Sequence, residues 1–132
     1  MRSRGLAIAG WTAALLAAGL HGVSLSRRMP LDGLQLGLLA LAFALTALAF
    51  VGLVLALQRE VLAGEALSVA IGDRLPRWGR WLLGLGFVYV ALHLLDGVRG
   101  SGEGFSFDRT FTAVLAWQAL ATALFHTGVR GR

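Results

Sequence analysis

The chain has 132 residues, 57% of them hydrophobic, and a mean hydropathy of +0.72. Charged residues make up 14%, against roughly 25% in ordinary soluble domains, which leaves too little polar surface to cover a soluble globule. The net charge of +5 rests on arginine alone, and the absence of cysteine excludes disulfides, thiolate metal sites and dithiol redox motifs.

The arginines sit at the ends of apolar runs, which points to lipid headgroups rather than nucleic acid as their partner. A bilayer core about 30 Å thick takes roughly 20 apolar residues as a helix. Four runs approach that length, at 5–23, 34–57, 80–96 and 110–129. Lipid offers no partner for a bare backbone N–H or C=O, so helices are expected throughout. The runs lack a period-two alternation, and four strands could not close a barrel. The expected fold is a single all-α domain, a polytopic membrane protein built as a four-transmembrane-helix bundle.

The first run follows Arg2 and Arg4 in the manner of a signal peptide. Its apolar part is longer than a signal core and no A-x-A site follows, so it reads as a retained helix. It carries Gly10, Ala14, Ala18 and Gly22 at four-residue spacing, with Ala9, Ala13, Ala17 and His21 beside them. Small residues at this spacing let membrane helices approach closely. The stripe is expected to pack on another helix of this chain or of a second subunit.

The second run offers Ala40, Ala44 and Ala47, then Ala49, Gly52 and Ala56, as further small-residue positions. A cytoplasmic loop is expected at 58–79. Within it, 60–71 has helical composition and either prolongs the second helix or lies on the membrane surface, and Pro76 ends it.

In the third run Trp78 and Trp81 fit an interfacial aromatic belt. Tyr89, His93 and Asp96 follow at offsets of four and three, which puts them on one helix face. His21 falls near the same end of the first helix. Ionisable groups at membrane depth cost roughly 2.5–3.5 kcal/mol on insertion scales, so they face protein or water. One reading makes these residues a hydrogen-bonded anchor for the helix ends. The other makes His21 and His93 axial ligands of a haem b, with Tyr89 or Asp96 binding a quinone or relaying protons. An outer glycine-rich loop is expected at 97–109. Its glycines follow no strand, which argues against phosphate binding.

The fourth run places Gln118, Thr122 and His126 at i, i+4 and i+8. Gln118 falls near mid-span, where its amide needs a partner, and an interhelical bond there is worth about 0.6–2 kcal/mol. His126 lies at the opposite end from His21 and His93. Trp11 and Trp117 lie deep enough to pack between helices.

Arginine counts orient the chain. The N-terminus, the central loop and the C-terminus together hold eight, and the other two loops hold four. This bias expects both termini in the cytoplasm, and an arginine-only composition rich in Ala, Leu and Gly points to a bacterial inner membrane. No acidic residue lies mid-span, and the chain has no H-E-x-x-H helix, G-x-S-x-G elbow or paired carboxylate site. The expectation is therefore a non-enzyme: a small integral membrane subunit or scaffold that packs against partner helices or against copies of itself. Two alternatives stand beside it. One is a haem- or quinone-binding redox anchor using His21 and His93. The other is a small oligomeric transporter or channel lined by Gln118, Thr122 and Tyr89.

Overall fold

A computed structural model describes residues 2–27, 33–72, 74–99 and 107–128. All regular structure among them is helical. The order is α1 (Arg2–Arg27), α2 (Gly33–Leu62), α3 (Leu67–Gly72), α4 (Arg77–Arg99) and α5 (Phe107–Thr127). Three helices are long and apolar enough to cross a membrane: α1 over Arg4–Leu25, α2 over Gly33–Leu62 and α4 over Arg77–Leu95. The protein is accordingly an all-helical integral membrane protein. The expected outer loop falls mostly outside the described residues, as do the C-terminal arginines and the side chain of Asp96.

The second helix runs five residues past the expected 57, through the helix-favouring Gln58, Arg59 and Glu60. It stops at Gly64, whose φ of 95° is left-handed. The Glu65 N–H donates to the Glu60 carbonyl at 3.1 Å and the Gly64 N–H to Val61 at 3.0 Å. This is the paired pattern of a Schellman cap, which takes glycine because a Cβ is strained there. Most of the expected 58–79 loop is thus the last turn of α2, its cap and α3. Pro76 then lies just ahead of α4, where a fixed φ and a missing N–H are tolerated.

The most enclosed helix is α5. It runs antiparallel to α1, with Gly10 beside Ala123 at one end and His21 beside Thr112 at the other. The core is built from alanines, with Ala13, Ala17, Ala42, Ala119 and Ala123 all fully buried. Leu6 lies against Gly52, and the Thr46 hydroxyl donates back to the Ala42 carbonyl at 2.7 Å. By contrast α4 is an edge helix: 11% of its span is buried, against 44% for α1.

Which small residues pack differs in part from the expectation. Gly10 and Ala14 are buried against α5, whereas Ala18 and Gly22 are exposed, with nothing within 4 Å of where a Gly22 Cβ would stand. A four-residue step turns the side-chain direction by about 40°, and this row starts about 100° ahead of the Ala9 row, so it is the first to wind out from under α5. The adjacent row of Ala9, Ala13, Ala17 and His21 stays buried throughout. On α2, Ala49 is buried and Gly52 and Ala56 are half-buried, while Ala40, Ala44 and Ala47 face outward.

Candidate functional site

His21, Tyr89, His93 and Thr112 meet at one end of the molecule. His21 projects from α1 into the seam between α4 and α5 and is 9% exposed. Its Nε2 lies 2.6 Å from the Tyr89 hydroxyl and its Nδ1 lies 3.1 Å from the Thr112 hydroxyl. In a neutral imidazole one nitrogen donates and the other accepts, and each hydroxyl can take the complementary role. His93, one turn beyond Tyr89 on α4, packs edge-on against both rings. Its centroid is 5.1 Å from that of His21 and 4.6 Å from that of Tyr89. The Ser24 hydroxyl donates to the His21 carbonyl at 2.8 Å, which ties down the last turn of α1.

An apolar groove of about 510 Å³ runs from this cluster between α1 and α4, with α5 as its floor. His21 and Tyr89 close one end, and Trp11, Leu82, Trp117 and Leu120 are among its walls. Both indoles are fixed by their N–H groups. Trp117 Nε1 donates to the Leu83 carbonyl at 2.8 Å, with its ring over Gly86, where a Cβ would come within 2.6 Å of it. Trp11 Nε1 donates to the Thr127 hydroxyl at 2.7 Å, and that hydroxyl donates in turn to Ala123. The arrangement can hold a lipophilic molecule whose polar head reaches the histidine–tyrosine end.

Three of the sequence-singled residues, His21, Tyr89 and His93, therefore lie together. Gln118 and Thr122 do not join them. Thr122 is 1% exposed and its hydroxyl donates to the Ala119 carbonyl at 2.9 Å, while Gln118 is half-buried, and neither lines the groove. His126 lies at the far end, its Nε2 bonded to the Ala49 carbonyl of α2 at 2.9 Å. Thr112 is fully buried, and sequence reasoning missed it. The available signal was a lone hydroxyl on the alanine face of α5 at the depth of His21.

The geometry does not match a haem site spanning His21 and His93. Axial imidazoles face an iron from opposite sides of a macrocycle, with a nitrogen of each directed at the metal. Here the two rings touch edge to face, and both nitrogens of His21 are already hydrogen-bonded. Among the described residues no group of three or more His, Asp or Glu side chains is arranged to hold a metal ion.

No family model, curated protein or solved structure matches the chain.

Proposed function

We propose that the protein is a non-enzymatic integral membrane subunit of four spans, with both termini in the cytoplasm of a bacterial inner membrane, that works by packing against partner helices. The observation that carries this reading is the outward face of α2. Gly33, Gly37, Ala40, Ala44 and Ala47, then Val51 and Val54, are all exposed, and the steps between them alternate four and three. That spacing is the seam of a left-handed helix pair. It lies directly opposite the face of Ala42, Ala49 and Glu60 that α2 turns to its own chain. Lipid tails gain nothing from small residues, but a second helix can approach closely over them. The fourth span in this reading is α5, shielded from lipid by the helices around it. The arginine asymmetry supports the orientation.

Purification in mild detergent, followed by mass measurement of the intact assembly, tests the reading. The wild-type chain should carry a stoichiometric partner or a second copy. Gly37→Leu with Ala44→Leu should release it without lowering the melting temperature. A partner-free monomer in native membranes overturns it.

The groove supports a second reading, a redox anchor that binds a lipophilic quinone. A ring carbonyl could accept a hydrogen bond from Tyr89 or from a histidine beside it, while the tail lies along Leu82 and Trp117. A quinone analogue should quench indole fluorescence saturably in the wild type and about tenfold more weakly in Tyr89→Phe, one lost hydrogen bond being worth roughly that factor. Equal quenching in both excludes it. The transport alternative has less support, because Gln118 and Thr122 do not line the groove that Tyr89 closes.

A further inference from the structure

A second cavity, also of about 510 Å³, opens at the opposite end of the molecule from His21, between the turn that starts α4 and the last turn of α5. Arg74, Arg77, Trp78 and Arg80 line it on one side, and Leu124 and Thr127 on the other. Arg74 belongs to the framework. Its Nη2 donates to Glu60 Oε1 at 2.7 Å, and its guanidinium carbon stands 4.7 Å from the centroid of the Phe125 ring. The Arg74 charge is thereby matched within the chain.

Arg77 and Arg80 are placed differently. Both are exposed and both occupy the first turn of α4, which holds no acidic residue. A helix N-terminus carries about half a positive charge and unpaired N–H groups, so acidic residues are favoured there and arginines are not. Arg80 donates to the Gly72 carbonyl at 2.6 Å, which fixes its guanidinium at the cavity and uses only one of its N–H groups. Two cations and a helix dipole thus converge on one cavity against their mutual repulsion. Segment 72–80 contributes three arginines and one acid, Asp73. The wider charge distribution agrees. Segments 1–4, 58–80 and 128–132 hold eight arginines and three acids, whereas 27–32 and 96–109 hold four of each. Counted along the sequence, the whole net charge of the chain falls in the first group of segments, which includes the three arginines that line the cavity.

We propose that the cavity binds the phosphate of an anionic phospholipid, held by Arg77 and Arg80 at the N-terminus of α4. The surroundings favour a lipid over a free phosphate ion. Trp78 and Trp81 are 58% and 71% exposed, as expected of indoles at headgroup depth. Leu82 and Leu85 continue the same exposed apolar surface along α4, where acyl chains would lie. The bound phosphate neutralises the repulsion that the first turn of α4 otherwise carries.

The test uses the full chain in mild detergent with an equimolar mixture of phosphatidylglycerol and phosphatidylcholine, read by native mass spectrometry. The wild type should retain phosphatidylglycerol selectively. The double variant Arg77→Gln, Arg80→Gln should weaken that retention roughly thirtyfold, since each arginine near an anionic headgroup is worth about a factor of five. Arg59→Gln, at the same end but outside the cavity, should leave it within about twofold of wild type. In lipid-free detergent the double variant should melt no lower than wild type, because the repulsion at the helix end has been removed. Equal retention of both lipids by the wild type, which needs no variant to fold, overturns the proposal. Equal loss in Arg59→Gln overturns it in favour of diffuse attraction. Displacement of the lipid by millimolar inorganic phosphate overturns the lipid assignment and leaves a free-phosphate site.

Discussion

Gly10 and Ala123 bring the backbones of α1 and α5 into contact: a Cβ built on Gly10 would lie 2.9 Å from the Ala123 Cα. Real Cβ atoms do not approach backbone so closely, so the spacing of the two helices is set by a missing side chain. In lipid, dispersion between close backbones replaces the hydrophobic drive that would hold such helices in water.

Gly10→Ala should therefore force α1 and α5 apart and cost about 1–3 kcal/mol, the usual range for overpacking. Gly22→Ala, with open space around its Cβ position, should be neutral or slightly stabilising. Melting of both variants in one detergent decides the matter. Equal melting temperatures would show that the close approach is not under strain.

His21→Ala should remove the shared partner of Tyr89 and Thr112. His21 holds both hydroxyls at a largely buried position, and each hydrogen bond lost with the imidazole is worth about 1 kcal/mol. His93→Ala should cost less, because His93 is half-buried and meets the cluster through ring contacts. The two losses are read by denaturation in mixed micelles, and a reversed ranking would contradict the assigned roles.

Trp117 seats α5 on the edge helix. Gly86→Val should expel its ring, because even a Cβ at that position meets the indole at 2.6 Å. Trp117→Phe keeps the ring contact but drops the bond to the Leu83 carbonyl, at about 1 kcal/mol. Hydrogen exchange along α4 should accelerate strongly in the first variant and mildly in the second. Unchanged exchange in Gly86→Val would mean that α4 is held elsewhere.

Glu60→Ala should destabilise the cap region more than Arg59→Ala. Glu60 is 9% exposed and bonded to Arg74, while Arg59 is exposed. Breaking a largely buried pair strands the remaining charge and costs about 3 kcal/mol. Proteolysis within 58–76 is the direct readout, and similar cleavage of both variants would assign the pair no such role.

Much of this was legible in the sequence. Membrane-length apolar runs announced the long helices, and the offset between Tyr89 and His93 put both on one face. The depth of His21 along α1 brought it to the same level. Other features depend on how helices cross, which no single run records. Ala18 and Gly22 look like continuations of Gly10 and Ala14, but each four-residue step advances about 40°, and this row starts about 100° ahead of the Ala9 row, so it leaves the buried arc while the Ala9 row is still crossing it. The pairing of Gly86 with Trp117 joins two helices at unrelated chain positions. The end of α2 was readable in principle from Gly64, because a lone glycine after helix-favouring residues is the mark of a left-handed cap.

The burial of α5 bears on how the chain is made. This helix is absent from the three that are apolar enough to cross a membrane on composition, and it carries Thr112, Thr122 and His126 on buried positions. A translocating chain would release α1, α2 and α4 to lipid readily. In the proposed four-span arrangement, α5 would gain its place from a cleft formed by α1, α2 and α4. Docking of α5 would then follow the insertion of those helices, and a chain with a damaged α1 would fail at that step first, its 107–127 segment left at the membrane surface for proteases.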